Sequence, residues 1–347
     1  MLFDIIIPCS KRDAGFLPRV VEYIRKNISE AGVIYVITAR ALFDNVRKHL
    51  GDDVVTLVDE NEMIENFTFS RVKELLTKKK WYVRQGWYFQ QLLKMGFSQT
   101  DMAGEYYLSW DADTLPLSKL SFMDNGHPLF TVKKEYHPAY FETMEKLFVG
   151  GGKKFSYSFI CEHMLFKSSV MRELISEIAQ NDRIEGSDWM EKIINACEFS
   201  QTDIYKEPYF SEFETYGTYA MLRYPDLYHT RQLNTFRGAG YIRGRSISDN
   251  MIKKISFDLD IASFEYGATP PFPYNIGSWF HLSILPKFEK MCNMPVKELP
   301  RHFLNVIKGR MKVFNGSQAS PVSHPNHIPP GKVCLESGEG LPHQRKS

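Results

Sequence analysis

Short apolar runs at 3–7, 33–38 and 54–58 alternate with stretches whose apolar residues recur every three or four positions. Leu17, Val20, Val21 and Ile24 mark one such stretch at 17–27, and a second covers 42–50. The runs predict strands and the spaced stretches predict helices. Strands separated by helices of about ten residues signal a βαβ series and a parallel sheet. Runs without polar alternation fit strands covered on both faces.

From Asp59-Glu60-Asn61-Glu62 to residue 80 the pattern gives no clear element. Residues 81–97 then predict a long helix rich in Trp, Tyr, Gln and Leu, with Gly96 as its C-cap. A strand follows that ends in Asp111-Ala112-Asp113. Further on, the spacing predicts a strand at 129–132, a helix at 136–146 and a turn at Gly150-Gly151-Gly152. A strand at 159–166 comes next, with helices at 168–180, 187–197 and 210–222. Beyond 223 the chain reads as more β-like, through 227–229, 236–237 and 255–259. At 299–314, Phe303, Leu304, Ile307, Met311 and Phe314 share one helical face, with Arg301, Lys308, Arg310 and Lys312 on others. Such a basic amphipathic helix either docks on its own domain or lies on an anionic membrane surface. Residues 315–347 are dominated by Ser, Pro, Gly and His without periodicity, and read as a disordered or foreign tail. The fold class expected is α/β, a Rossmann-type open sheet flanked by helices, with a β-richer C-terminal part. One domain is expected over 1–314, its halves 1–132 and 133–314.

Composition narrows the classes. The 347 residues are 43% hydrophobic and 24% charged, as in a globular protein with a real core. A net charge of +2 does not point to nucleic acid. The cysteines at 9, 161, 197, 292 and 334 form no Cys-x-x-Cys pair, which favours a reducing compartment. No apolar run is long enough to span a bilayer. Residues 1–8 read as a first strand rather than a signal peptide. A cytoplasmic protein is therefore expected, with peripheral contact at the inner membrane face through 299–314.

The strongest chemical signal is Tyr106-Tyr107-Leu108-Ser109-Trp110-Asp111-Ala112-Asp113. In a strand, alternate residues point to the same side. Asp111 and Asp113 can then both reach the crevice at the strand's carboxyl end, where open α/β sheets bind ligands. Two hard oxygen ligands suit Mg²⁺ or Mn²⁺ and leave positions for phosphate oxygens. The competing reading is a strand ending at a turn, where Asp is favoured by its hydrogen bonds to backbone.

Four segments carry a family resemblance: 81–94, the Asp111-Ala112-Asp113 strand, Phe159-Ile160-Cys161-Glu162-His163-Met164, and Phe210-Ser211-Glu212-Phe213-Glu214-Thr215-Tyr216-Gly217. With the βαβαβ start, the chain resembles the GT-A glycosyltransferases over roughly residues 1–300. More closely, it resembles a bacterial group of GT-A-like proteins of unassigned function found among capsule and lipopolysaccharide genes. The resemblance implies a metal-dependent transfer of sugar from a nucleotide-diphosphate donor, most simply a UDP-sugar, to a glycan or lipid-linked acceptor in surface polysaccharide synthesis. It implies Asp113 as direct metal ligand and Asp111 near the ribose or bound to the metal through water. GT-A enzymes often add a later histidine ligand, for which His229 and His281 are candidates.

An inverting transferase needs a carboxylate base, and the resemblance implies one about a hundred positions later, which tilts the reading toward inversion. Glu212 and Glu214 follow Asp111 and Asp113 by 101 positions each. Ser211 can cap that helix with Glu214 as its reciprocal partner, leaving Glu212 for the cleft. Asp188 is a third candidate that equally suits a helix cap. Glu162, His163 and Tyr216 are candidates for the acceptor, and a buried hydrogen-bonded pair is the alternative for the first two. Pro8, Ser10, Asp59, Arg84, Gln85 and Asp111 are candidates for the donor. Arg84 suits phosphate at a helix start, or else pairs with an acidic neighbour such as Asp111. Trp81, Trp87, Tyr88 and Tyr216 offer a sugar-stacking platform or a core stripe. Two other classes compete: another phosphate enzyme (a sugar nucleotidyltransferase or phosphatase), and a non-catalytic glycan-binding protein on a transferase fold. Against a phosphatase, Leu115 stands where Thr or Val would be expected. Against a nucleotidyltransferase, the segment after the first strand holds no glycine before Gly15.

Overall fold

The structure is a computed structural model, and it describes residues 2–268 except 52 and 203–206. The chain forms β1 (Phe3–Pro8), α1 (Leu17–Asn27), β2 (Ala31–Thr38), α2 (Phe43–Leu50), β3 (Thr56–Asp59), α3 (Phe69–Lys78) and α4 (Gln85–Gly96). There follow β4 (Tyr106–Trp110), β5 (Thr114–Pro116), β6 (Met123–Asp124), β7 (His127–Thr131), α5 (Pro138–Leu147), β8 (His163–Lys167), α6 (Ser168–Ala179) and α7 (Trp189–Ala196). The last described elements are α8 (Glu212–Arg223), β9 (His229–Arg231), β10 (Thr235–Phe236), α9 (Gly240–Arg243), α10 (Asp249–Ile255) and β11 (Ile261–Ser263).

The main sheet has the order β3-β2-β1-β4-β8. Its first four strands are parallel, and β8 pairs antiparallel to β4, with Trp110 opposite His163. The parallel sheet expected from the opening strand–helix alternation is present, and β8 adds one antiparallel edge strand. Alternation along the strands explains their apolar runs. Ile5, Ile7, Val36, Leu108 and Trp110 pack on one face, with α1. Ile6, Ile37, Tyr107, Met164 and Phe166 pack on the other, with α3 to α8. Both faces are covered, so apolar side chains are favourable at every position. Two smaller sheets, β10-β11-β5 and β6-β7-β9, each join strands from before residue 132 to short strands beyond residue 228.

Several boundaries moved for local reasons. The helix expected from 81 begins at Gln85, because Lys80 and Arg84 hold left-handed φ of 57° and 54° that break a helical path. The strand expected at 159–166 starts only at His163, so Glu162 immediately precedes the strand and His163 opens it. Helix α3 was unread in the sequence, yet Thr68 caps it by accepting from the Arg71 amide and Val72, Leu75 and Leu76 are buried. The strand expected at 255–259 is replaced by α10, capped by Ser248, and by β11. The expected helix at 299–314, His281 and the tail at 315–347 lie outside the described residues. No helix among the described residues is long and apolar enough to cross a membrane.

Candidate active site at the end of the main sheet

Asp111 and Asp113 sit in a tight turn that joins β4 to β5. The Asp111 amide donates to the Glu162 carbonyl at 3.0 Å, extending the ladder by one residue past Trp110. The Thr114 amide donates to the Asp111 carbonyl at 3.2 Å, and the Trp110 indole donates to the Thr114 carbonyl at 2.8 Å. From the other side, the Phe264 amide donates to the Asp113 carbonyl at 2.8 Å, tying the turn to the end of β11. The turn is thus held by backbone bonds on two sides, and both carboxylates remain partly open, at 36% and 23% side-chain exposure.

Lys94, on the buried face of α4, connects this turn to α8. Its Nζ lies 2.8 Å from Asp111 Oδ1 and 2.8 Å from Glu212 Oε1. Glu212 is sealed, and its amide donates to Gln91 Oε1 at 3.0 Å. Burial raises the Glu212 carboxyl from its usual range, while the Lys94 ammonium pulls it back. The expected Arg84–Asp111 pair is thus corrected, because Arg84 is exposed at the start of α4 and Lys94, ten residues on, takes Asp111.

Asp113 is the site's crowded acid. Burial, then the fields of Asp111 and Asp13, push its carboxyl up to about 7, against a lowering by Arg245 and a further rise from Glu265. Arg245 Nη2 stands 3.7 Å from Asp113 Oδ2 and 2.6 Å from Asp13 Oδ1. Asp13 also accepts from the Ser10 hydroxyl at 2.6 Å. This acid excess is the environment in which a divalent cation relieves repulsion, and hard carboxylate oxygens suit Mg²⁺ or Mn²⁺. Among the described residues no three His, Cys, Asp or Glu side chains converge as a metal-holding group. Asp111 and Asp113 fit such an ion as part of a shell that substrate oxygens and water would complete.

Beside the turn lies a second charged cluster. The buried Glu162 carboxylate accepts from Lys133 Nζ at 2.6 and 2.8 Å and from Arg237 Nε at 2.7 Å. Arg237 also reaches Glu135 at 3.2 Å. Burial would raise the Glu162 carboxyl, but Arg237 and Lys133 bring it down to about 2. His163 is buried, with Nε2 2.9 Å from the Thr131 hydroxyl. Burial, reinforced by Arg231, lowers it to about 3, so the ring is neutral. Glu162 and His163 therefore match the buried, hydrogen-bonded alternative. Glu162 holds Lys133 and Arg237 in place, and His163 is packed between Thr131 and the Trp110 ring.

Other expected residues fall elsewhere. Glu214 is buried and accepts from the Ser158 hydroxyl at 2.8 Å and the Phe159 amide at 2.7 Å. Its own amide donates to the Ser211 cap, but its carboxylate does not return to Ser211 as a reciprocal box requires. Neither glutamate is open to an acceptor hydroxyl, and the tilt toward inversion that rested on them loses its support. Tyr216, expected at the acceptor, is a core residue: its hydroxyl meets that of Tyr228 at 2.6 Å. Trp81 and Tyr88 are likewise core residues, and Trp87 is half-buried against Tyr88, so three of the four residues of the stacking platform belong to a packed stripe. Asp188 caps α7 by accepting from the Met190 and Glu191 amides, both at 3.0 Å.

The donor candidates cluster more loosely. Pro8 ends β1, Ser10 follows it and Asp59 ends β3, all at the same sheet edge as Asp111. Asp59 pairs with Arg40 at 2.9 Å. Gln85 turns back to donate to the Trp81 carbonyl at 3.0 Å. His229 stacks on His127 with centroids 4.2 Å apart and faces Asp124, so it does not join the aspartates. A groove of about 800 Å³ lies at the opposite edge of the sheet, lined by Phe3, Asp4, Gly32, Thr56 and Tyr106, away from this chemistry.

Lys94, Lys133, Arg237, Arg245 and Asp13 belong to the site and were not singled out in the sequence. Lys94 had one available sign, a charged residue amid the apolar positions Leu92, Leu93 and Met95. Arg237 and Arg245 had none, since only tertiary structure brings them to the turn.

No curated protein matches the chain in sequence. Among solved structures, mouse xyloside xylosyltransferase 1 shares 10% identity, with 76% of this chain and 96% of that one covered and a TM-score of 0.39. The galactosyltransferase LgtC, solved with donor and acceptor sugar analogues, shares 12% identity over 85% of this chain and 99% of its own, at a TM-score of 0.36. The glycosyltransferase GlyE of Streptococcus pneumoniae TIGR4 shares 9% over 90% of this chain and 64% of its own, at 0.35. Scores of this size carry no assignment to the chain. Residues 3–237 match the family described as "Family of unknown function (DUF6492)", and the chain belongs to that family.

Proposed function

We propose that the protein is a divalent-metal-dependent glycosyltransferase that takes a nucleotide-diphosphate sugar, with a UDP-sugar the first donor to test, and a glycan or lipid-linked acceptor. The observation that carries this reading is the pair Asp111 and Asp113, partly open at the carboxyl end of a parallel strand and crowded by Asp13 and Glu265. Ligands of open α/β sheets bind at that edge. A bound Mg²⁺ or Mn²⁺ supplies charge neutralisation to a departing diphosphate.

The chain's own residues divide the remaining work. Asp111 and Asp113 present oxygens to the cation. Arg237, 40% exposed beside the turn, offers a guanidinium group for phosphate oxygens, while Arg245, its side chain buried and bound to Asp13 and to the Arg12 and Phe264 carbonyls, braces the turn from the other side. Ser10, just past β1, and Asp59, at the end of β3 with β2 between them, contact the nucleoside. Glu162 fixes Lys133 and Arg237, and Glu214 fixes the 158–159 segment that leads to Glu162. We assign neither Glu212 nor Glu214 as base, because both are buried and engaged.

The test is thermal stabilisation by UDP-, GDP-, CMP- and dTDP-sugars with and without Mn²⁺, followed by donor hydrolysis with the sugar that stabilises. A ligand that binds only the folded state raises apparent stability. A Mn²⁺-dependent shift that vanishes in Asp113→Asn supports the reading. Stabilisation by no nucleotide sugar, with or without metal, rejects it.

A further inference from the structure

Lys94 is a buried cation at the heart of the site. We propose that it is a positioning residue that withholds one oxygen of Asp111 and thereby sets how tightly the strand-end carboxylates take a divalent cation. This rests on the metal-dependent reading above.

The geometry fixes Lys94 tightly. Its Nζ bridges Asp111 Oδ1 and Glu212 Oε1 at 2.8 Å each and lies 4.3 Å from the centre of the Phe213 ring. The Tyr107 hydroxyl donates to the Lys94 carbonyl at 2.9 Å, which anchors the helix backbone under the side chain. One turn earlier Gln91 accepts from the Glu212 amide, so α4 and α8 are joined at two points. Neither Lys94 nor Glu212 can swing away without leaving a buried charge alone, which is strongly unfavourable. Asp111 differs, since its side chain is 36% exposed and only Oδ1 is engaged by Lys94. It therefore offers the cleft one oxygen in a fixed orientation.

The sign of the effect follows from distance. Lys94 stands between Asp111 and Glu212, so a cation held by Asp111 feels the ammonium more strongly than the glutamate behind it. Lys94→Met removes the nearer positive charge, and the unpaired Glu212 then takes up a proton in its sealed site. Glu212→Gln removes the farther negative charge and leaves Lys94 to Asp111 alone.

The experiment is Mn²⁺ binding to the full chain, without donor, followed by electron paramagnetic resonance and calorimetry. Lys94→Met is expected to bind Mn²⁺ about tenfold tighter than wild type, while donor turnover falls because Asp111 is no longer oriented. Glu212→Gln is expected to bind several-fold weaker. A structural disturbance alone would weaken both. Unchanged or weaker binding by Lys94→Met overturns the inference and leaves the metal reading standing. Absence of binding to wild type overturns the inference, and the metal reading is then decided by the Mn²⁺-dependent stabilisation with donor set out above. Should Lys94→Met not fold, Glu212→Gln decides, and unchanged or tighter binding there overturns the inference.

Discussion

The imidazole of His163 lies stacked on the indole of Trp110, with ring centroids 5.1 Å apart and planes 20° from parallel. Their pairing across β4 and β8 puts a neutral histidine under the turn that carries Asp111. Its folded pKa, about 3, lies below the ordinary value near 6.5. The unfolded chain therefore takes up this proton first, and the stability is fully present above about pH 6.5 and is lost as pH falls toward 3. Glu60, raised to about 7 by burial and by Asp59, has the opposite slope over part of that range. The wild-type profile alone is thus ambiguous, but its difference from His163→Gln is not. Urea unfolding between pH 4.5 and 6.5 should show wild type losing up to about 1.4 kcal/mol per pH unit relative to that variant. Parallel profiles would mean that His163 is not buried and neutral.

Glu162 holds two cations, and its loss should exceed the loss of either. Glu162→Gln leaves Lys133 and Arg237 without their shared carboxylate, at a cost of about 3–5 kcal/mol. Arg237→Ala leaves Glu162 paired with Lys133 through both oxygens, and the Arg237 side chain is itself 40% exposed. Its cost should be only about 1 kcal/mol. Chemical denaturation of the two variants at neutral pH checks the ranking. At low pH the gap should close, since Glu162 keeps its charge only down to about pH 2.

How far the sequence reaches is visible in these residues. Strands β1, β2 and β4 and helices α1, α6 and α8 were legible because each is a run or a spacing that local burial imposes. The start of α4 was not legible, because left-handed φ at Lys80 and Arg84 leaves no mark in residue types that rarely adopt it. The strand-end aspartates were legible as a motif. Their partners were not, since Lys94 is 17 positions away from Asp111 and Arg245 is 232 from Asp13. Glutamates 212 and 214 show the limit most clearly. Spacing put both in reach of a cleft, whereas packing turned one to Lys94 and the other to Ser158.

Asp113 should show function opposed to stability. Its carboxylate is crowded by Asp111, Asp13 and Glu265, against which stand Arg245 and a 3.2 Å hydrogen bond from the Thr114 hydroxyl. Asp113→Asn removes one member of that crowd and keeps the side-chain shape. Without metal the variant should be more stable than wild type by about 1–2 kcal/mol, as expected where a site is kept strained for its task. With saturating Mn²⁺ the order should reverse, because wild type alone gains from the ion. Melting temperatures measured with chelator and with Mn²⁺ give the four values required. A variant less stable under both conditions would show that Asp113 serves the turn and not a cation.

Gly217 tests how α8 positions the site from behind. A Cβ at this position would lie 2.3–2.7 Å from atoms of the Phe159 ring. That ring is fully buried and packs against Phe130, Phe155 and Tyr157. Gly217 is three residues beyond Glu214, whose carboxylate holds the Ser158 hydroxyl and Phe159 amide. Gly217→Ala gains about 1 kcal/mol of helix propensity. It must also displace a ring locked by its own backbone, and overpacking of this kind costs about 1–3 kcal/mol or more. Overpacking should win, because the close contacts are to ring carbons of a rigid side chain with aromatic neighbours on several sides. The net loss should be about 1–2 kcal/mol by urea unfolding. Phe159→Leu in the same chain should recover part of the loss, since a smaller side chain leaves space for the new methyl. If Gly217→Ala is neutral or stabilising on its own, α8 and the 158–162 segment are not in the close contact described, and Glu162 is not held from this side.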